Sequence, residues 1–139
     1  MSKHRLILDD QYEFLAFGLS CHLKDYRVAW MINQAFKMNL KRFDISLEVK
    51  KNEPEVFSVY RFKDQANHLN YHLLSNQNES SYLLPSLKQY DYFILIEGYI
   101  DIFDANMFEQ QLQHIDSFQF ISELDIDPFQ KMQYTLFED

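Results

Sequence analysis

Two segments of this chain share a pattern, and each ends at one of its only two glycines, Gly18 and Gly98. Residues 11–18 read QYEFLAFG and residues 89–98 read QYDYFILIEG. Each apolar run is typical of a strand that is covered on both faces. A helical stretch opened by an aspartate and then a strand follow each segment. The pattern predicts a pseudo-duplicated α+β domain with units at about 11–50 and 89–127.

The two helices are predicted from capping residues and from periodicity. Asp25 precedes an amphipathic stretch that runs to about Met38, and Asp104 precedes a second one. Apolar residues recur at i, i+4 and i+7 from Phe108, which marks one buried face.

The strands are predicted from apolar runs and from alternation, which is cleanest at residues 42–50 and their hairpin partner 55–63. A polar loop is expected at 75–81, and an edge strand at 133–137.

The chain is predicted to be a single α+β domain, 1–139, with two main helices on one face of a mixed, mainly antiparallel sheet. The order is β-β-α-β-β-β-β-α-β, which is ferredoxin-like with added strands. The remaining predicted strands are residues 4–8, 14–19, 71–74, 90–97 and 118–126.

Charge and composition exclude several classes of function. The net charge is −8, and an acidic domain repels both a phosphate backbone and an anionic membrane surface. Cys21 is the only cysteine, so no intrachain disulfide is possible. Neither a signal peptide nor an apolar run of about 20 residues is recognisable. We therefore expect a soluble cytoplasmic protein that binds neither nucleic acid nor membrane.

The first helix carries the only tryptophan of the chain in the middle of its polar arc. One interpretation is that a loop or strand of the same chain covers this side chain. The other is that it anchors an interface, since tryptophan is enriched at contact hot spots. The predicted contact residues are Tyr26, Trp30, Asn33, Gln34 and Lys37.

The residues around the two glycines provide a second candidate site. Junctions between repeats or between subunits often hold small ligands. The candidate ligand-binding residues are Ser20, His22, Asp91, Glu97 and Tyr99.

No constellation of side chains indicates catalysis. His68 and His72 would share a face only on a helix, and their segment is predicted as loop then strand. Cys21 and His22 are neighbours that point apart on an extended chain. Two glycines also allow no glycine-rich phosphate loop. We expect no metal and no cofactor, and enzyme activity is left open as the less favoured interpretation.

The segment LPSLKQYDY, residues 84–92, resembles the signature of the bacterial IPExxxVDY family. Pro85, Asp91 and Tyr92 match, whereas Ser86 and Tyr90 replace glutamate and valine. Further similarity includes residues 8–10, 14–18 and 25–27, with Trp30 and Asn33, and residues 96–98 and 126–127. The resemblance implies a small bacterial cytoplasmic protein and implies no mechanism, because the family has no assigned catalytic residues. If the family glutamate serves a site, Ser86 removes it here.

Two functions remain after these exclusions. The first is a non-enzymatic interaction or assembly domain that forms a homodimer or binds an unidentified protein partner. The alternative is a regulatory domain that senses a small molecule between the two repeat units or between protomers.

Overall fold

The computed structural model describes residues 13–50, 53–132 and 136–137 of the 139. The fold is α+β. Its strands are β1 (Phe14–Ser20), β2 (Lys41–Lys50), β3 (Glu53–Asp64), β4 (Leu69–Ser75), β5 (Tyr92–Gly98) and β6 (Phe120–Leu124). Its helices are α1 (Asp25–Phe36) and α2 (Ala105–Gln113), and single 3-10 segments lie at Pro85–Leu87, Ile100–Ile102 and Asp127–Met132.

The six described strands form one sheet in the order β2-β3-β4-β5-β1-β6. Every pair of neighbours is antiparallel, so the predicted mixed sheet is fully antiparallel over the described residues. β2, β3 and β4 follow one another as a meander. If that meander counts as one element, the order β-α-β-β-α-β of a ferredoxin-like domain remains.

The two predicted repeat units both exist as strand, helix and strand, but they are unequal. β5 and β6 run parallel with only β1 between them, whereas three strands separate β1 from β2. The shared pattern of the two glycine-ended segments has a simpler structural basis. β1 and β5 are adjacent interior strands, and each contributes buried side chains to the cores on both faces of the sheet.

Each face of the sheet has its own core. Val28, Ile32, Phe108 and Leu112 of the two helices pack on one face, as predicted, over Phe17 and other inward side chains of β1, β4 and β5. The opposite face is covered by turns and by the end of the described chain. Its buried residues include Phe57, Phe93, Leu95, Phe129 and Leu136.

Several element boundaries differ from the predictions. α1 ends at Phe36, and its N-cap is Lys24 rather than Asp25. Asp104 does cap α2, since its carboxylate accepts from the backbone N–H of Met107 at 3.0 Å. The predicted strands at 4–8 and 133–135 lie outside the described residues, and 136–137 are helical rather than extended.

Candidate functional site

Two aromatic side chains lie on the outer face of α1. Tyr26 and Trp30 are each 58% exposed and stand four residues apart, which places them on one stripe of the helix. The buried face of α1 consists of Val28, Ala29 and Ile32. The described residues leave more than half of the Trp30 side chain exposed, which is the condition that the interface interpretation requires.

Two other predicted contact residues shape the end of α1. The Asn33 amide oxygen accepts from the Leu40 N–H at 2.7 Å, and its nitrogen donates to the Leu40 carbonyl at 3.3 Å. Lys37 has a φ of 56°, the left-handed conformation that ends many helices, and its N–H bonds to the Asn33 carbonyl. Asn33 is therefore half-buried and ties α1 to β2, whereas Gln34 and Lys37 remain exposed.

The exposed charges of α1 are all positive. Arg27 and Lys37 are exposed beside the aromatic stripe. The only carboxylate of α1, Asp25, is half-buried and lies 3.8 Å from the Arg42 guanidinium. We call Tyr26, Arg27, Trp30 and Lys37 the α1 surface.

A second group of exposed apolar side chains follows β5. Ile102 is 81% exposed, Tyr99 62% and Met107 54%. Asp101 and Asp104 are exposed between them. These five residues form what we call the 99–107 surface, and a hollow of about 350 Å³ lies beside it, lined by Glu13, Gly98, Tyr99, Ile100, Asp101 and Ile102.

The backbone conformation of Gly98 sets the direction in which the chain leaves β5 and continues into the 99–107 surface. Its φ is 114°, and a Cβ at this position would lie 2.2 Å from the His68 carbonyl oxygen. The same oxygen accepts a hydrogen bond from the Tyr99 N–H at 3.0 Å. Only glycine allows this approach, which also brings the His68 and Tyr99 rings to a centroid distance of 4.8 Å.

The charge of the molecule is strongly polarised along the sequence. Residues 89–130 contain nine acidic side chains and no lysine or arginine. This stretch includes β5, the 99–107 surface, α2 and β6, so that part of the molecule is acidic while the α1 surface is basic. Surfaces of opposite sign attract one another and orient an encounter.

The segment that resembles the family signature is held by one buried asparagine. The Asn76 amide nitrogen donates to the Leu87 and Tyr90 carbonyls at 3.0 and 2.9 Å, and its oxygen accepts from the Leu84 N–H at 2.8 Å. Asn76 is fully buried, and its side chain has partners for both donors and for the acceptor. Residues 84–90 therefore have a defined structural role in folding back onto the sheet, and Ser86 is exposed on the 3-10 segment.

Asp91 and Tyr92, the last two residues of the signature segment, connect the start of β5 to the residues that lead into α1. An Asp91 carboxylate oxygen accepts from the Cys21 N–H at 2.8 Å. The Tyr92 hydroxyl donates to the Leu23 carbonyl. Burial raises the pKa of the Tyr92 hydroxyl above its usual range, and the negative charge of Asp25 adds to the shift.

The Cys21 thiol is not activated. Burial raises its pKa, and the charge of Asp91 raises it further. A thiol that stays protonated is a poor nucleophile, so Cys21 functions as a packing residue.

The structure separates the predicted ligand-binding residues into two groups. Ser20, His22 and Asp91 lie at the start of β5, where the Ser20 hydroxyl donates to the Gln89 carbonyl at 2.7 Å. Glu97 and Tyr99 lie at its other end, about 20 Å away along the strand. Glu97 is also occupied, since its carboxylate lies 3.2 Å from His72 Nε2 and from the amide nitrogen of Asn70. The five residues therefore do not surround one ligand.

A polar cleft lies near the first of these groups. A hollow of about 240 Å³ contacts His22 and Asp91, and it adjoins a larger one of about 750 Å³. The two share Ser75, Gln77 and Tyr92, so they form one continuous cleft. Its larger part is further lined by Lys24, Asp25, Arg42, Asp44, Glu55, Val56, Ser58, Asn78, Glu79 and Ser80.

Neither a metal centre nor a membrane span is found in the described part of the chain. Within residues 13–50, 53–132 and 136–137, no three histidine, cysteine or acidic side chains are grouped as metal ligands. Over the same residues, no helix has the length and apolarity needed to cross a bilayer.

The sequence reasoning missed the 99–107 surface and the Asn76 contacts. The absence of lysine and arginine from residues 89–130 was a readable signal for the first, because it marks an acidic region with apolar residues between its aspartates. No sequence signal distinguished Asn76 from its polar neighbours.

Comparison with known proteins adds no family assignment. No protein-family model matches the chain, and no curated protein matches it.

Proposed function

We propose that this protein is a non-enzymatic interaction and assembly domain, and that its smallest assembly is a homodimer formed through the α1 surface. The observation that carries this proposal is the exposure of Tyr26 and Trp30, 58% each, on one stripe of α1. Exposed aromatic side chains that are rigid and flanked by polar groups are typical anchors of protein contacts.

The chemistry of the remaining residues supports an interaction role. The Cys21 thiol is buried with a raised pKa. The Glu97 carboxylate is engaged with Asn70 and His72. Asp91 accepts a backbone hydrogen bond. Side chains that are already buried or hydrogen-bonded in this way are more typical of an interaction domain than of a catalytic site.

The single tryptophan makes the first test direct. If Trp30 is buried between two copies, its fluorescence emission shifts to the red as the protein is diluted, and the sedimentation coefficient falls over the same concentration range. Trp30 emission that stays red at every concentration, from a chain that sediments as a monomer, would contradict the homodimer.

A matched pair of variants separates the α1 surface from exposed apolar residues in general. Tyr26→Ala should weaken the association, because it removes an anchor from the same stripe. Phe120→Ser removes a side chain of similar exposure, 55%, on β6 and should leave the association unchanged, because its ring stacks with Tyr90 of the core on the opposite face of the sheet. Equal effects of both variants would show that α1 has no special role.

A small-molecule sensor is the second candidate, and the continuous polar cleft favours it. Its lining includes the carboxylates of Asp25, Asp44, Glu55 and Glu79 but only two cations, Lys24 and Arg42. This balance, together with several hydroxyl and amide groups, suits a small ligand that carries amines or hydroxyls.

Thermal shift measurements test the sensor. The panel contains polyamines, amino sugars and polyols. A stabilising compound should lose its effect in Gln77→Leu, which removes an amide shared by both parts of the cleft. Gln110→Leu, an exposed position on α2, is the control and should keep the effect. A panel in which no compound raises the melting temperature would remove this candidate.

Membership of the IPExxxVDY family, with the bacterial cytoplasmic setting it implies, is a proposal that the matching residues Pro85, Asp91 and Tyr92 support. Under this proposal the signature segment has a structural role, since hydrogen bonds of Asn76, Asp91 and Tyr92 hold it in place.

A further inference from the structure

The α1 surface and the 99–107 surface belong to the same side of the sheet. α1 and α2 both pack on one face. Ile100, Phe103 and Ala105 pack against the same core cluster, so the segment that carries the exposed Tyr99, Ile102 and Met107 is anchored to the helix-covered side. One partner that approaches this side can therefore contact both surfaces.

We propose that two copies of this chain form a two-fold symmetric dimer in which the α1 surface of each copy packs against the 99–107 surface of the other. The reciprocal contact rests on the proposed function, because it takes the α1 surface as the assembly surface and names what covers it. In a two-fold interface, a contact of residue i with residue j is always repeated as j with i.

Charge complementarity identifies the second copy as the occupant. Pairing α1 with α1 would bring Arg27 and Lys37 close to their own copies, and like charges across an interface repel. The 99–107 surface offers Asp101 and Asp104 instead, in a stretch of 42 residues without lysine or arginine. Each surface therefore finds opposite charge on the other copy and like charge on its own.

The apolar side chains are complementary in kind as well. The α1 surface provides flat aromatic rings. The 99–107 surface provides Ile102, which is 81% exposed and exceeds every other large apolar side chain in the described part of the chain, and Met107, whose flexible thioether adapts to a ring. Burying such residues around an aromatic anchor, with charged groups at the rim, is the usual anatomy of an interface.

Two single variants and their mixture test the reciprocal contact. Trp30→Ala and Ile102→Ser each damage both copies of the contact, so each homodimer should be weakened by about thirtyfold or more. Mixing the two variants gives a heterodimer in which one contact has both changes and the other has neither. The mixture should therefore associate more tightly than either variant alone, as measured by sedimentation equilibrium. Both side chains are exposed, so circular dichroism should show unchanged folding.

The salt dependence of dimer affinity provides an independent test of the reciprocal contact. Attraction between opposite charges is screened by salt, so Arg27→Gln should weaken the dimer at about 0.05 M NaCl and have a much smaller effect at about 0.5 M. In an α1-to-α1 contact between like charges, the same variant would instead strengthen the dimer at low salt. Phe120→Ser serves again as the control and should have wild-type affinity in every condition.

The possible failures are distinguishable. If Trp30→Ala is monomeric while Ile102→Ser dimerises like the wild type, the α1 surface keeps its assembly function and the reciprocal contact is refuted. A mixture no tighter than its components also refutes it. A wild-type chain that stays monomeric at all concentrations overturns the homodimer itself and leaves both surfaces to a different partner.

Discussion

The two ends of β5 differ in which side chains they bury and which they expose. At the start of the strand, polar groups are buried and hydrogen-bonded, with Asn76 inaccessible and Asp91 bonded to Cys21. At the far end, beyond Gly98, apolar groups are exposed, including Ile102 at 81%.

This contrast separates stability from interaction. A buried polar group with all its hydrogen bonds made stabilises one conformation, because breaking any of those bonds leaves an unpaired group away from water. An exposed apolar group contributes little to the fold and is stabilised only when another surface covers it. We therefore expect substitutions at the first end to affect unfolding and substitutions at the second end to affect association.

The largest effect should come from Asn76→Ala. The change leaves the Leu84 N–H and the Leu87 and Tyr90 carbonyls without their side-chain partner. The Leu87 carbonyl keeps the hydrogen bond from the Tyr90 N–H, but the Leu84 N–H and the Tyr90 carbonyl are buried. Each of these two groups costs about 1–3 kcal/mol when unpaired, so the free energy of unfolding should fall by about 4 kcal/mol in urea denaturation. Gln77→Ala, the exposed neighbour, is the control. An Asn76→Ala chain as stable as this control would show that the segment is not held by these bonds.

A slightly smaller loss is expected from Gly98→Ala at the other end. The new Cβ would lie 2.2 Å from the His68 carbonyl oxygen, at a φ of 114° that alanine avoids. Strain and clash together should cost about 3 kcal/mol, seen as a lower melting temperature. Because the obstacle is a backbone oxygen, His68→Ala should not restore stability.

Gly18→Ala provides the matched comparison for that result. Gly18 lies within β1 rather than at its end, and a Cβ there would meet the Tyr90 ring at 2.5 Å. The obstacle in this case is a side chain, so Tyr90→Leu should recover part of the loss. Equal rescue at both glycines would contradict the distinction between the two positions.

The sequence was sufficient for elements whose signal is local. The alternation in residues 42–50 and 55–63 predicted the hairpin that β2 and β3 form. In the structure, Phe57 and Val59 lie in one core and Tyr60 and Phe62 in the other. The continuous apolar runs of β1 and β5 predicted strands covered on both faces. Period-two alternation and apolar length act within a single strand, which is why they are readable without knowing its neighbours.

The order of the strands and the role of Asn76 depend on distant residues. Nothing within β1 indicates that it pairs with β5 and β6 rather than with β2, because pairing is decided by contacts across the whole chain. Asn76 lies in a polar stretch that reads as an exposed loop. Its burial follows from carbonyls 11 and 14 residues further along, which its amide can reach only after the segment has folded back. The five candidate ligand-binding residues give a similar lesson, since they come from neighbouring parts of the sequence but lie at opposite ends of one strand.

A smaller and pH-dependent effect is expected from Tyr92→Phe. The variant loses the hydrogen bond from the hydroxyl to the Leu23 carbonyl, which should cost about 1 kcal/mol near neutral pH. The folded-state pKa of Tyr92 is raised, so the contribution of the protonated hydroxyl is complete below the ordinary tyrosine pKa of about 10 and is lost as the pH rises through the folded value. The stability gap between wild type and variant should therefore narrow above about pH 10. A gap that widens with pH would contradict the assigned direction of the pKa shift.

The smallest effect on stability should come from Ile102→Ser. A nearly unchanged free energy of unfolding is what the comparison of the two ends of β5 requires. Ile102 is 81% exposed on a single 3-10 segment, so little apolar area is lost from the folded monomer. The free energy of unfolding, measured at a concentration low enough to keep the chain monomeric, should change by less than about 0.5 kcal/mol. At higher concentration the wild type should gain stability from association while the variant gains much less, because only the wild type buries this side chain against a second copy. A variant that loses several kcal/mol as a dilute monomer would place Ile102 in the core and would remove the distinction between the two ends of β5.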